Sequence, residues 1–117
     1  MTEIALDELA GRLGDLTIVD VRSALEYDGT NGMPCDPRQG HIPGARHVEI
    51  YELMQLEPNQ IEAVLGIEPG GELVAYCHSG TRSAVATQML RALGYDARNY
   101  VGSWHEWSRH DDLPIES

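Results

Sequence analysis

Residues 72–102, ELVAYCHSGTRSAVATQMLRALGYDARNYVG, leave the chain few folds to choose from. Residues 72–76 are a short, largely apolar run that reads as a buried strand. His78-Ser79-Gly80 breaks it. Residues 81–94 then place Val85, Ala86, Met89, Leu90 and Leu93 on one broad helical face, with Gly94 as a natural stop. ARNYVG, residues 97–102, reads as a second strand. A strand, a helix and another strand in so short a span require a crossover, and a crossover makes the two strands parallel.

The same alternation runs upstream. IALDELAGRLG, residues 4–14, has Leu6, Leu9, Ala10 and Leu13 at helical spacing, acidic residues early and Gly14 as a stop. LTIVDV, residues 16–21, is a buried strand, and SALEYDG adds a helical turn. TNGMPCDPRQG is loop, dense in Asn, Gly, Pro and Asp. ARHVEI, residues 45–50, is a weaker strand, and EPNQIEAVLG is a helix capped by Asn59 and ended by Gly66. SWHEWSRH gives one or two further turns of helix. The whole pattern predicts an α/β fold with a parallel sheet and helices on both faces. In such sheets the working crevice lies outside the carboxyl ends of the strands, and Cys77 sits at one of those ends.

A chain of 117 residues with 42% hydrophobic content suits one domain, residues 1–117, with one real core. No apolar run is long enough for a bilayer. Met1-Thr2-Glu3 lacks a secretory pattern, so a cytoplasmic protein is expected. The net charge is −11, and every positive side chain is an arginine. Nucleic acid and anionic membranes are therefore not expected as partners, and a small anion must be attracted locally against the global field. Two cysteines, Cys35 and Cys77, make no disulfide framework.

The placement of Cys77 is chemical. A tight loop entering a helix leaves several backbone N–H groups without partners. A loop wrapped around the sulfur aims those donors at it, and Gly80 permits the backbone turn this needs. The helix N-terminus adds partial positive charge and Arg82 a full one. A free cysteine with a pKa of about 8.5 is only ~3% thiolate at pH 7. Amides and an arginine around the sulfur favour the thiolate, so Cys77 is expected to be a nucleophile in an anion cradle. The alternative is a buried cysteine acting as a small hydrophobe.

CHSGTRS after an apolar strand resembles the active-site loop of the rhodanese family of sulfurtransferases. IVDVRSALEY, with Asp20 and Arg22, GHIPGA at residues 40–45, and GSWHEW at residues 102–107 are similar to further signatures of that family. The likeness is greatest to the catalytic half of its tandem-domain members. The resemblance implies a rhodanese-like fold, a small five-stranded parallel sheet with helices on both faces. It implies a thiosulfate sulfurtransferase in which Cys77 takes a sulfane sulfur as a persulfide and passes it to cyanide or a thiol. Backbone N–H groups of His78, Ser79, Gly80, Thr81 and Arg82 would hold the anion, with Arg82 and His78 orienting a small anionic donor. The acceptor would be a thiol or a protein.

Two rivals stand beside this reading. One is a sulfur-relay or binding module with little turnover on small molecules. The other is a phosphatase-like or arsenate-reductase-like enzyme. Against the second, only four residues separate Cys77 from Arg82, one fewer than in those related folds, and the smaller ring suits one sulfur atom.

Structural roles are expected for Asp20 and Arg22, which would tie a strand end to nearby loops, for His41 as a backbone partner in a turn, and for Trp104 and Trp107 in the core. Cys35, between Pro34 and Asp36, is expected to be exposed, either a spectator or a resolving thiol for Cys77. No cofactor is expected. Cys35, His41, His47, Cys77 and His78 lack paired metal-ligand spacing, so no metal site is expected either. Glu26 stands where tandem-domain members commonly carry a donor-binding arginine, which weakens the case for mercaptopyruvate and thiosulfate as donors.

Overall fold

The structure is a computed structural model that describes residues 2–117. Four strands form one parallel sheet: β1 (Thr17–Asp20), β2 (Arg46–His47), β3 (Glu72–Tyr76) and β4 (Asp96–Asn99). Their order across the sheet is β2-β1-β3-β4. Among the described residues six helices precede, connect or follow them: α1 (Leu6–Gly11), α2 (Ala24–Asp28), α3 (Ile50–Leu53), α4 (Pro58–Leu65), α5 (Thr81–Ala92) and α6 (Ser103–Trp107). Among the described residues a fifth strand is not formed. In its place Glu3 makes a single parallel bridge to Asn99, with Ile4 N and Asn99 N donating to Asn99 O and Thr2 O. The chain turns into α1 too soon for the ladder to lengthen.

The two-residue period of the strands sorts the core into two layers. Val19, Leu73, Ala75 and Ala97 face one side and pack with Leu53 of α3, Ile61 and Leu65 of α4, and Ala86 and Leu90 of α5. Ile18, Val74 and Tyr76 face the other and pack with Leu9 of α1 and with Trp104 and Trp107 of α6. Both tryptophans are fully buried, as their spacing implied. Among the described residues no helix is long and apolar enough to cross a membrane.

Three sequence expectations need correction. The strand expected over residues 45–50 is only Arg46–His47, because Ile50 begins α3 and turns its side chain, with that of Leu53, into the core. Helix α4 is capped by Glu57 rather than Asn59. Pro58 takes the first helical position, where its missing N–H costs nothing, and Gln60 Oε1 accepts from Glu57 N at 2.8 Å. On α5, Val85 is 47% exposed, and the buried stripe is Ser83, Ala86, Thr87 and Leu90. Polar Ser83 lies inward because the loop before it needs its hydroxyl.

Candidate active site

Strand β3 ends at Tyr76, and Cys77 follows with its side chain in the layer beneath α5. The residue is 1% exposed, and its thiol is free. Three donors converge on its sulfur. Gly80 N donates at 3.1 Å, Ser83 N at 3.4 Å and the Ser83 hydroxyl at 3.3 Å. Burial pushes the thiol pKa up. The Ser83 hydroxyl and the N–H groups of Ser83, Ser79 and Gly80 outweigh it, and the net shift is downward.

The backbone needed for this is specific. Gly80 has φ +95°, and a Cβ there would lie 2.8 Å from the carbonyl oxygen of Val101. Only glycine meets both conditions without strain. Gly80 O accepts from Asn99 Nδ2 at 3.1 Å, which ties the loop to the end of β4. Ser103 braces the loop from the other side. Its hydroxyl accepts from Cys77 N at 3.1 Å and donates to Tyr100 O at 2.8 Å. It does so from φ +54°, a strained conformation for a serine. Trp104 N and His105 N donate to the carbonyls of Cys77 and His78 at 2.9 Å, so α6 clamps the loop.

The expected site residues therefore divide. Cys77, Ser79 and Gly80 meet at the sulfur. Thr81 opens α5. His78 turns away toward the long loop, where Nε2 lies 3.2 Å from Asp36 Oδ1. Arg82 is held by Glu26, with guanidinium nitrogens at 2.9 and 3.2 Å from its two carboxylate oxygens. Glu26 is buried, accepts from Ser23 N and caps α2. Burial alone would raise its pKa; the hydrogen bonds from Arg82 and Ser23 prevail and hold it below the usual carboxylate value.

Ser83 and Ser103 were missed. Ser83 reads as one more helical residue, and nothing local marks Ser103 as a partner of Cys77 N. The C-x5-S spacing, which puts a hydroxyl at the third residue of α5, is the one signal that could have found Ser83.

The remaining candidates are structural. Arg22 and Asp20 are fully buried and paired at 2.7 Å, and Arg22 Nη2 also donates to Gly40 O at 2.6 Å. The guanidinium sits 5.0 Å from the Trp104 ring centroid. This arrangement ties the end of β1 to the GHIPGA turn. His41 Nδ1 donates to Tyr27 O at 2.7 Å, and its ring stacks on Tyr27. Cys35 is exposed.

A family model described as Rhodanese-like domain matches residues 5–110. The chain belongs to the rhodanese-like family. This rhodanese-like domain is 38% identical over 123 residues to a thiosulfate sulfurtransferase of Azotobacter vinelandii, covering 94% of this chain and 44% of that protein. It is 36% identical over 114 residues to a human thiosulfate:glutathione sulfurtransferase, covering 89% of this chain and 90% of that one. A crystal structure of a probable thiosulfate sulfurtransferase superposes with a TM-score of 0.85 at 42% identity, covering 99% of this chain and 48% of its own. The chain thus spans less than half the length of the first curated relatives it matches.

Proposed function

We propose that this rhodanese-like domain is a sulfurtransferase that carries a sulfane sulfur on Cys77. The observation that carries the reading is the convergence of Gly80 N, Ser83 N and the Ser83 hydroxyl on one sulfur at 3.1–3.4 Å. These donors stabilise a thiolate before the reaction and a persulfide anion after it.

The Cys77 thiolate attacks the outer sulfur of thiosulfate. The sulfur–sulfur bond of the donor breaks, sulfite leaves with the electron pair, and a Cys77 persulfide remains. A cyanide ion or a thiolate then attacks the terminal sulfur. Thiocyanate or an acceptor persulfide departs, and the Cys77 thiolate returns. No external oxidant is needed. On this reading the N–H groups of the loop His78, Ser79, Gly80, Thr81 and Arg82 surround the added sulfur, and Arg82, once released from Glu26, orients the donor; His78, turned toward Asp36, does not. The relatives named for thiosulfate and for glutathione support a small anionic donor and a thiol acceptor. Residues 1–117 act as one domain, built around one sheet, in a reducing cytoplasm that keeps both thiols free.

One observation favours the relay reading. Glu26 occupies both arms of the Arg82 fork, so the cation nearest the loop is already neutralised. A protein persulfide donor would not need it. Steady-state transfer from thiosulfate to cyanide separates the two. Turnover lost in Cys77→Ser supports the enzyme, persulfide formation without turnover supports the relay, and Cys77-dependent hydrolysis of an aryl phosphate refutes both.

A further inference from the structure

The long loop, the loop after β3 and α6 bring together four side chains that no motif connects. Cys35 Sγ lies 3.8 Å from His78 Nε2 and 3.8 Å from Asp36 Oδ1. His78 Nε2 lies 3.1 Å from Asp36 Oδ2, and His105 Nδ1 lies 3.6 Å from Asp36 Oδ1. One ligand atom from each of Cys35, Asp36, His78 and His105 falls within 4.8 Å of every other. We propose that these four side chains form a binding site for a thiophilic divalent cation, zinc.

Donor spacing supports this. With Zn–S near 2.3 Å and Zn–N near 2.0–2.1 Å, neighbouring ligand atoms of a tetrahedron stand roughly 3.3–3.6 Å apart. The 3.1 Å from His78 Nε2 to Asp36 Oδ2 and the 3.8 Å from His78 Nε2 to Cys35 Sγ bracket that value, while Cys35 and His105, both exposed, lie 3.8 and 3.6 Å from the other carboxylate oxygen, Oδ1. The Asp36 carboxylate supplies independent support. Its side chain is fully buried, yet Oδ2 accepts no hydrogen bond although His78 Nε2 is 3.1 Å away. A buried carboxylate oxygen without a donor is costly unless a cation meets it. Its other oxygen is already engaged: Arg109 Nη1 donates to Oδ1 at 3.1 Å, and the same guanidinium donates to Cys35 O at 2.7 Å and His105 O at 2.6 Å. Arg109 thus holds three of the four ligand residues in place and leaves Oδ2 facing the cluster, the outer support that metal ligands commonly have.

The donor set selects the ion. One sulfur and two imidazoles disfavour calcium and magnesium and suit zinc. A Cys35 thiolate and the Asp36 carboxylate balance the two positive charges, and the Cys35 proton is released to solvent on binding. The site is separate from the Cys77 sulfur, whose donors are Gly80 and Ser83. Sequence spacing could not reveal it, because Asp36, His78 and His105 come from three segments of the chain, Asp36 and His78 42 residues apart, with His105 further on in α6.

Cobalt(II), a spectroscopic probe for such sites, tests the proposal by titration into wild type and into Cys35→Ser, His105→Ala and Cys77→Ser, with circular dichroism confirming that each is folded. Competition by zinc reports the native ion. One cobalt per chain is expected, with tetrahedral ligand-field bands and a sulfur-to-metal charge-transfer band. Cys77→Ser retains that band, Cys35→Ser loses it, and His105→Ala weakens binding by about tenfold or more. No saturable binding overturns the proposal. So does a charge-transfer band that disappears in Cys77→Ser but survives in Cys35→Ser, or affinity unchanged in both Cys35→Ser and His105→Ala.

Discussion

Ser83→Ala isolates the hydroxyl that faces the Cys77 sulfur. The hydroxyl donates at 3.3 Å and is fully buried, so water cannot take its place readily. A hydrogen bond to a charged group contributes about 1.5–3 kcal/mol. At 1.36 kcal/mol per pKa unit, losing it raises the Cys77 pKa by roughly one to two units relative to wild type. The N–H donors of Gly80 and Ser83 persist in the variant, so the shift stays near the lower figure. The fold loses little, because Thr87 Oγ1 bonds the Ser83 carbonyl and not its side chain.

The assay is the pH dependence of iodoacetamide alkylation in a Cys35→Ser background, which removes the exposed thiol. Two signatures are expected together. The midpoint moves to higher pH, and the plateau rate at high pH rises, because a more basic thiolate is intrinsically more nucleophilic. With a Brønsted slope of about 0.4–0.5, a shift of one unit raises the plateau roughly threefold and lowers the rate at low pH roughly threefold. A midpoint unchanged from that of wild type would show that the hydroxyl does not stabilise the thiolate, and the description of the cradle would fail.

Three further perturbations probe its supports. Gly80→Ala forces a side chain into φ +95° against the Val101 carbonyl at 2.8 Å; a loss of about 1–3 kcal/mol is expected in urea unfolding, with a raised Cys77 pKa. Asp20→Asn leaves the buried Arg22 charge without its partner and should cost about 3–5 kcal/mol by the same measurement, whereas a cost under ~1 kcal/mol would mean the pair is dispensable. Glu26→Gln frees Arg82, and kcat/KM for thiosulfate should rise roughly tenfold, the value of one charge-assisted hydrogen bond. The same variant has a pH signature. Because the folded Glu26 pKa is depressed, its contribution to stability is complete above the unfolded value near 4.3 and is lost as pH falls through the folded value; Glu26→Gln should lack that acid limb.

The sequence disclosed what depends on local pattern. Alternating runs, Gly66 and Gly94 as stops, and a cysteine between a strand and a helix are all short-range signals, and each maps onto the fold; the stop expected at Gly14 falls earlier, with α1 ending at Gly11 and capped by Arg12. The thiol environment was legible because a loop entering a helix must leave N–H groups free. What stayed hidden depends on distant contacts. Ile50 turned from strand into helix to fill the core above β1. Ser83 looked like an ordinary helical residue until Cys77 was folded beneath it. Glu26 stood out only as a departure from its family, and its embrace of Arg82 spans 56 residues. The meeting of Asp36, His78 and His105 rests on a loop without periodic pattern.

Intact mass spectrometry after brief exposure to thiosulfate tests sulfur transfer through Cys77 most directly. The expected result is a gain of one sulfur atom, mapped to the Cys77 peptide, released by cyanide and absent from Cys77→Ser. An unchanged mass, or a sulfur that persists in Cys77→Ser, would contradict it.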